Sequence, residues 1–130
     1  MTGQDQLTTQ ISIDLKKYRI RVHKESLHRI GDPMYIQFLV SVDKSMLAFK
    51  GLDADSSGYA AIRVNLPNLR SDFSVDVYST SLVEKLAKAF GCLEAGCTYR
   101  LTGKVMLQER AVVFPVSTLQ KVDVERPTYE

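Results

Sequence analysis

Two stretches of this chain carry the same order of elements. An extended segment, a short helix and further extended segments can be read over residues 17–66, and the series returns over 73–124. Repetition of this kind constrains the fold more than any other feature, because two related units that each bury one face must combine into one pseudo-symmetric domain. At 130 residues the chain fits a single domain with one core. A polar N-terminal segment at 1–14 and a tail at 125–130 flank the repeats.

In the first repeat, Tyr18, Ile20 and Val22 alternate with Lys17, Arg19, Arg21 and His23, the period of a strand with one buried and one wet face. Lys24 to Ile30 reads as a short helix. Leu27 and Ile30 share a face, Gly31 suits a left-handed terminal turn, and Asp32-Pro33 forces the chain out of helix. Tyr35 to Val42 is rich in aromatic and β-branched residues, and Asp43-Lys44-Ser45 turns it into Met46 to Lys50, predicting a hairpin. A polar loop, Gly51 to Gly58, leads to a strand over Tyr59 to Leu66, and Pro67 to Asp72 connects the repeats.

The second repeat opens with Phe73, Val75 and Val77 alternating against Ser74, Asp76 and Tyr78. A helix over Ser81 to Phe90 follows, with Ser81 and Glu84 spaced as a capping box. Its apolar face is Leu82, Val83, Leu86, Ala87 and Phe90, leaving Glu84, Lys85 and Lys88 to solvent, and Gly91 ends it. Thr98 to Leu107 and Ala111 to Leu119 form a hairpin around Gln108-Glu109-Arg110, with Val122 and Val124 in a last edge strand. The sum is an α+β fold: two β-α-β-β units, mostly antiparallel, with two helices side by side on one face of the sheet.

Apolar residues make up 45% and charged residues 25%, the balance of a soluble globular protein. No apolar run approaches the ~20 residues of a membrane span. Met1 to Gln10 has neither the basic start nor the apolar stretch of a secretory signal, so the cytoplasm is the expected compartment.

Several short strings, in shared order, resemble one domain of the DNA sliding clamps, the processivity factors of replicative polymerases. Tyr35-Ile36-Gln37-Phe38-Leu39-Val40, a tight turn and Met46-Leu47-Ala48-Phe49-Lys50-Gly51-Leu52-Asp53 resemble the clamp's paired strands running into an Asp. Ala60-Ala61-Ile62-Arg63-Val64 stands where its next strand stands. In the second repeat, the helix, the loop Leu93-Glu94-Ala95-Gly96 and Thr98-Tyr99-Arg100-Leu101 keep the clamp order. Phe114-Pro115-Val116-Ser117-Thr118-Leu119 is similar to the string that closes the bacterial domain. The resemblance implies a non-catalytic DNA-associated protein, a processivity or tethering factor of phage or mobile-element type. Clamp rings contain about six such domains, so a ring of this chain implies a homo-oligomer of about six copies joined head to tail. A protein-interaction or scaffold module using the same fold without DNA is the alternative.

The resemblance also implies that the helices face DNA. Lys24, His28, Arg29, Lys85 and Lys88 would then track the phosphates of double-stranded DNA without reading sequence. Glu25 and Glu84 dilute this patch, as on any solvated helix face. Lys17, Arg19, Arg21 and His23 form a second basic face, although cations on an edge strand also serve to block aggregation.

Other chemistries lack a complete signature. Asp53-Ala54-Asp55-Ser56-Ser57-Gly58 imitates the start of a calcium loop, but the position of the bidentate Glu holds Val64. Cys92 and Cys97 have no second pair to complete a zinc site. There is no Gly-rich phosphate loop, no His pair at helical spacing and no nucleophile elbow. The expectation is a protein that is not an enzyme, with no cofactor, metal, small-molecule substrate or membrane partner.

Overall fold

The structure, a computed structural model, describes residues 8–53, 61–63 and 74–122. In chain order its elements are β1 (Thr8–Asp14), β2 (Arg19–His23), α1 (Lys24–Arg29), β3 (Tyr35–Val40), β4 (Met46–Leu52), β5 (Ala61–Arg63), β6 (Ser74–Tyr78), α2 (Thr80–Phe90), β7 (Thr98–Met106), β8 (Ala111–Pro115) and β9 (Gln120–Val122). Among the described residues the strands form one curled sheet in the order β5-β3-β4-β8-β7-β1-β2-β6, with β9 also on β7 and every pairing antiparallel. The expected α+β class, antiparallel sheet and two helices on one face are all present. The expected connector Pro67–Asp72, the outer parts of the Tyr59–Leu66 strand, Phe73 and Val124 lie outside the described residues.

Alternation decides which face is buried. Ile20 and Val22 on β2, Val75 and Val77 on β6, Leu47 and Phe49 on β4, and Val112 and Phe114 on β8 point inward. Leu27 and Ile30 from α1 and its end, and Val83 and Leu86 from α2, close this core from the helix side. Burying each such side chain contributes about 1.5–3 kcal/mol.

Four local expectations are corrected. Residues 1–14, read as a polar N-terminal segment, include the strand β1 from Thr8, whose Ile11 and Ile13 are core residues and which lies inside the sheet between β7 and β2. Lys17 and Tyr18 sit in the β1–β2 turn, not in the strand, and Tyr18 takes a positive φ of 53°. β2 pairs with β1 on one side and β6 on the other, so it is an interior strand and its cations do not guard an edge. The α2 cap is Ser79, whose Oγ accepts the Leu82 N–H at 3.2 Å, so Ser81 and Glu84 form no capping box.

One edge of β7 is shared by two strands. Met106 pairs with Ala111 and Lys104 with Val113, whereas Arg100 pairs with Gln120 and Thr98 with Val122. Between β8 and β9 the chain inserts a 3-residue 3-10 turn, Val116–Thr118, which opens the ladder opposite Thr102. Thr118 closes the gap with its side chain. Its Oγ1 accepts the Thr102 N–H at 3.0 Å and lies within donating distance of the carbonyls of Pro115 (2.7 Å) and Thr102 (3.0 Å). A hydroxyl here satisfies a strand amide that would otherwise have no partner.

Candidate nucleic-acid interface

Helix α1 leaves β2 without an intervening residue, which buries Ser26 and Leu27 and turns Glu25, His28 and Arg29 to solvent. Ser26 is held by a 2.6 Å hydrogen bond between its hydroxyl and that of Thr9. α2 is set by its Ser79 cap at one end and Gly91, at a φ of 73°, at the other. Val83 and Leu86 are buried, while Glu84, Lys85 and Lys88 are exposed. Both helices pack against β2, so the structure places the sequence-expected cations of both on the same side of the sheet.

The cations are not equivalent. Arg29 forms an ion pair with Glu25 one turn back at 2.9 Å, and His28 Nδ1 meets Asp32 at 2.5 Å. Lys24 is half-buried at the base of α1. Lys85 and Lys88 form no ion pair among the described residues, and they share the outer side of α2 at the spacing that makes helix neighbours. Among the helix cations, those that are exposed and without an ion pair to a described carboxylate are therefore the two on α2.

The second basic face lies on the opposite side of the sheet and is largely neutralised there. Arg19 Nε donates to Asp14 Oδ2 at 3.0 Å and its Nη1 to Asp76 at 3.1 Å, with Tyr78 Oη at 3.3 Å. Arg21 holds Asp76 with both Nε and Nη2, at 2.7 and 3.1 Å. Burial pushes the Asp14 carboxyl up, but hydrogen bonds from the Lys16 and Lys17 amides and from Arg19 outweigh it and hold the group below the usual carboxylate range. Asp76 is likewise lowered, chiefly by the Arg21 hydrogen bond working against burial. Lys17 is exposed in its turn. His23 is exposed at the far end of β2, beside a cleft of about 350 Å³ that Arg29 also lines.

The two carboxylates that organise this face, Asp14 and Asp76, take their partners from the three-dimensional arrangement of the strands. Asp76 is directly opposite Arg21 in the β2–β6 register, a pairing no local signal announces. Asp14 belongs to β1, within the segment expected to be irregular. Elsewhere, Asp53, the first residue of the calcium-like string, is engaged by Arg110, and the rest of that string is outside the described residues. Cys92 and Cys97 are free thiols, and no group of three or more His, Cys, Asp or Glu suited to a metal occurs among the described residues. No described helix is long and apolar enough to cross a membrane. Comparisons with family models, curated proteins and solved structures give no match.

Proposed function

We propose that this is a non-catalytic DNA-associated protein with a clamp-like fold, a tethering or processivity factor that holds double-stranded DNA by its backbone. Two features support the clamp-like reading. The series β2-α1-β3-β4-β5 is followed by β6-α2-β7-β8-β9. Strands of the two series also pair with each other antiparallel, β2 with β6 and β4 with β8, although β5 lies on the edge of β3 away from β4 and β9 on the β8 edge of β7.

The observation that carries DNA contact is the exposed pair Lys85 and Lys88 on α2, on the helix-bearing side, without a carboxylate partner among the described residues. Cations so placed attract phosphates without reading bases. A fluorescence-anisotropy titration of labelled duplex DNA at low salt tests the reading. Binding that collapses in the Lys85→Glu/Lys88→Glu variant supports it, and a duplex bound equally by both proteins refutes the assignment. Light scattering of the free protein adds the assembly state: a species near six chains makes a ring the bound form, and a monomer restricts the protein to one-sided contact.

The scaffold alternative draws on one observation, the exposed Leu39, Met46 and Met106 on the helix-free side of the sheet.

A further inference from the structure

The outer face of the sheet is divided. At the β1-β2-β6 end it is polar, with Asp14 and Asp76 neutralising Arg19 and Arg21. At the β3-β4-β8-β7 end it is apolar. Cross-strand neighbours share a face, so the pairs Leu39 with Ala48, Met46 with Pro115, and Val113 with Lys104 all lie on this side. Both helices are on the other side, with the core. Leu39 is 44% exposed, Met46 37% and Met106 42%. Between Met46, Val113, Pro115 and Met106 runs an open trough of about 400 Å³, with Lys104 and Thr8 on its border. Met46 and Met106 stand on strands separated by β8, opposite Pro115 and Ala111 at its two ends, so the floor runs obliquely over Val113, about 10 Å across the strands and about 13 Å along them, enough to seat a large apolar side chain.

The strands that carry this trough have charge of one sign. β3, β4, β7, β8 and β9 contain no Asp or Glu, while their outer face carries Lys50, Arg100 and Lys104. None of these three forms an ion pair among the described residues, unlike Arg19, Arg21, Arg29, Arg110 and Lys121. The nearest hairpin turns carry both signs, Asp43 beside Lys44 in one and Glu109 beside Arg110 in the other. Asp43 is occupied by the Ser41 and Ser45 hydroxyls and the Ser45 amide of its own turn, leaving Glu109 in the other.

We infer that this trough is a docking surface for an extended acidic peptide of a partner protein, with an apolar side chain seated between Met46 and Met106 and a carboxylate on Lys104. A second copy of the chain is the poorer occupant. A two-fold contact through this face would bring the unpaired Lys50, Arg100 and Lys104 of both copies together with no carboxylate from those strands to meet them. A lipid surface suits exposed apolar protrusions flanked by lysines, whereas a trough is a receptor for a side chain. The inference stands apart from DNA contact, which uses the opposite side of the sheet.

The test is anisotropy with labelled peptides alternating Leu or Phe with Asp or Glu, beside a matched set alternating with Lys. Saturable binding of the acidic set is expected, with no binding of the lysine set. Met106→Glu and Lys104→Glu should each weaken it about tenfold or more. Both positions are exposed, and unchanged thermal melting checks that the variants fold. Lys104→Gln gives a milder change in the same direction. Four results would overturn the inference: no acidic peptide bound, equal binding of the lysine set, affinity unmoved by both variants, or phosphatidylserine vesicles bound while peptides are not. Self-association abolished by Met106→Glu would reassign the face to a second copy.

Discussion

Arg110 grips Asp53 with two guanidinium nitrogens at 2.9 and 3.0 Å, and its Nε donates to the Ile30 carbonyl at 3.0 Å. Arg110 lies in the β7–β8 turn at a φ of 52°, Ile30 closes α1, and Asp53 follows β4. One side chain from the β7–β8 turn thus ties together the end of α1 and the end of β4.

The Arg110–Asp53 pair is solvent-exposed, so its Coulomb gain is small and screened by salt. The hydrogen bond to Ile30 is part-buried and less replaceable. Arg110→Ala should therefore lower the melting midpoint more than Asp53→Ala, and the double variant should melt close to Arg110→Ala. Arg110→Lys should fail to restore the wild-type midpoint, because an ammonium cannot make the fork and the carbonyl bond together. Thermal melts of the four variants check this; a wild-type midpoint for Arg110→Lys would contradict it.

Gly103 is needed for its missing side chain. A Cβ there would overlap the Val113 carbonyl oxygen and stand 2.6 Å from Phe114 Cδ2. Gly103→Ala must push apart backbone and a core ring, at an expected cost above about 3 kcal/mol. Gly91 is the contrast: its φ is 73°, but a Cβ meets nothing within 4 Å. Gly91→Ala should cost only about 1–2 kcal/mol, the left-handed penalty of a side chain. Denaturant melts of the two variants give the comparison, and an equal cost would contradict it.

Thr118→Val keeps the side-chain shape and removes the hydroxyl that serves Thr102. Leaving that amide without its partner should cost about 1–3 kcal/mol, and Thr118→Ser should recover most of it. Faster hydrogen exchange at the Thr102 amide in Thr118→Val is the local signature; unchanged exchange would show that the hydroxyl does not close the ladder.

Acid should loosen the β1-β2-β6 end. Asp14 and Asp76 are both held below the ordinary carboxylate range in the folded state. Their unfolded value is about 3.9. The stability they confer is fully present above that value and is lost as pH falls through their lower folded values. Asp14→Asn should destabilise the protein near neutrality by about 1.5–3 kcal/mol, the range for a hydrogen bond to a charged group. It should also flatten the stability curve below pH of about 4. An unchanged acid limb in chemical melts from neutral to low pH would show that the network contributes nothing.

Periodic elements are readable in the sequence, and long-range partners are not. α2 is legible because five apolar residues share one face, yet its start is easily misplaced: Ser79, Thr80 and Ser81 all supply a capping hydroxyl, and the Ser81–Glu84 spacing favours the wrong one. β1 is hard to see because its wet positions are Thr, Gln and Ser, although the alternation of Ile11, Ile13 and Leu15 carries the signal. For the candidate site, the exposure of Lys85 and Lys88 follows from helical spacing, whereas their DNA-facing role comes only from the resemblance to clamps. The neutralisation of Arg19 and Arg21 depends on β6 lying beside β2, so the role of Asp76 emerges only with the strand order.

Whether α2 tracks phosphates is decided by the affinity of the protein for duplex DNA across a range of salt concentrations. Log affinity should fall linearly with log salt, and replacing Lys85 and Lys88 by Gln should make the slope shallower by about two, one for each phosphate no longer neutralised. No binding at low salt, or a slope that the double variant leaves unchanged, would contradict DNA tethering through this helix.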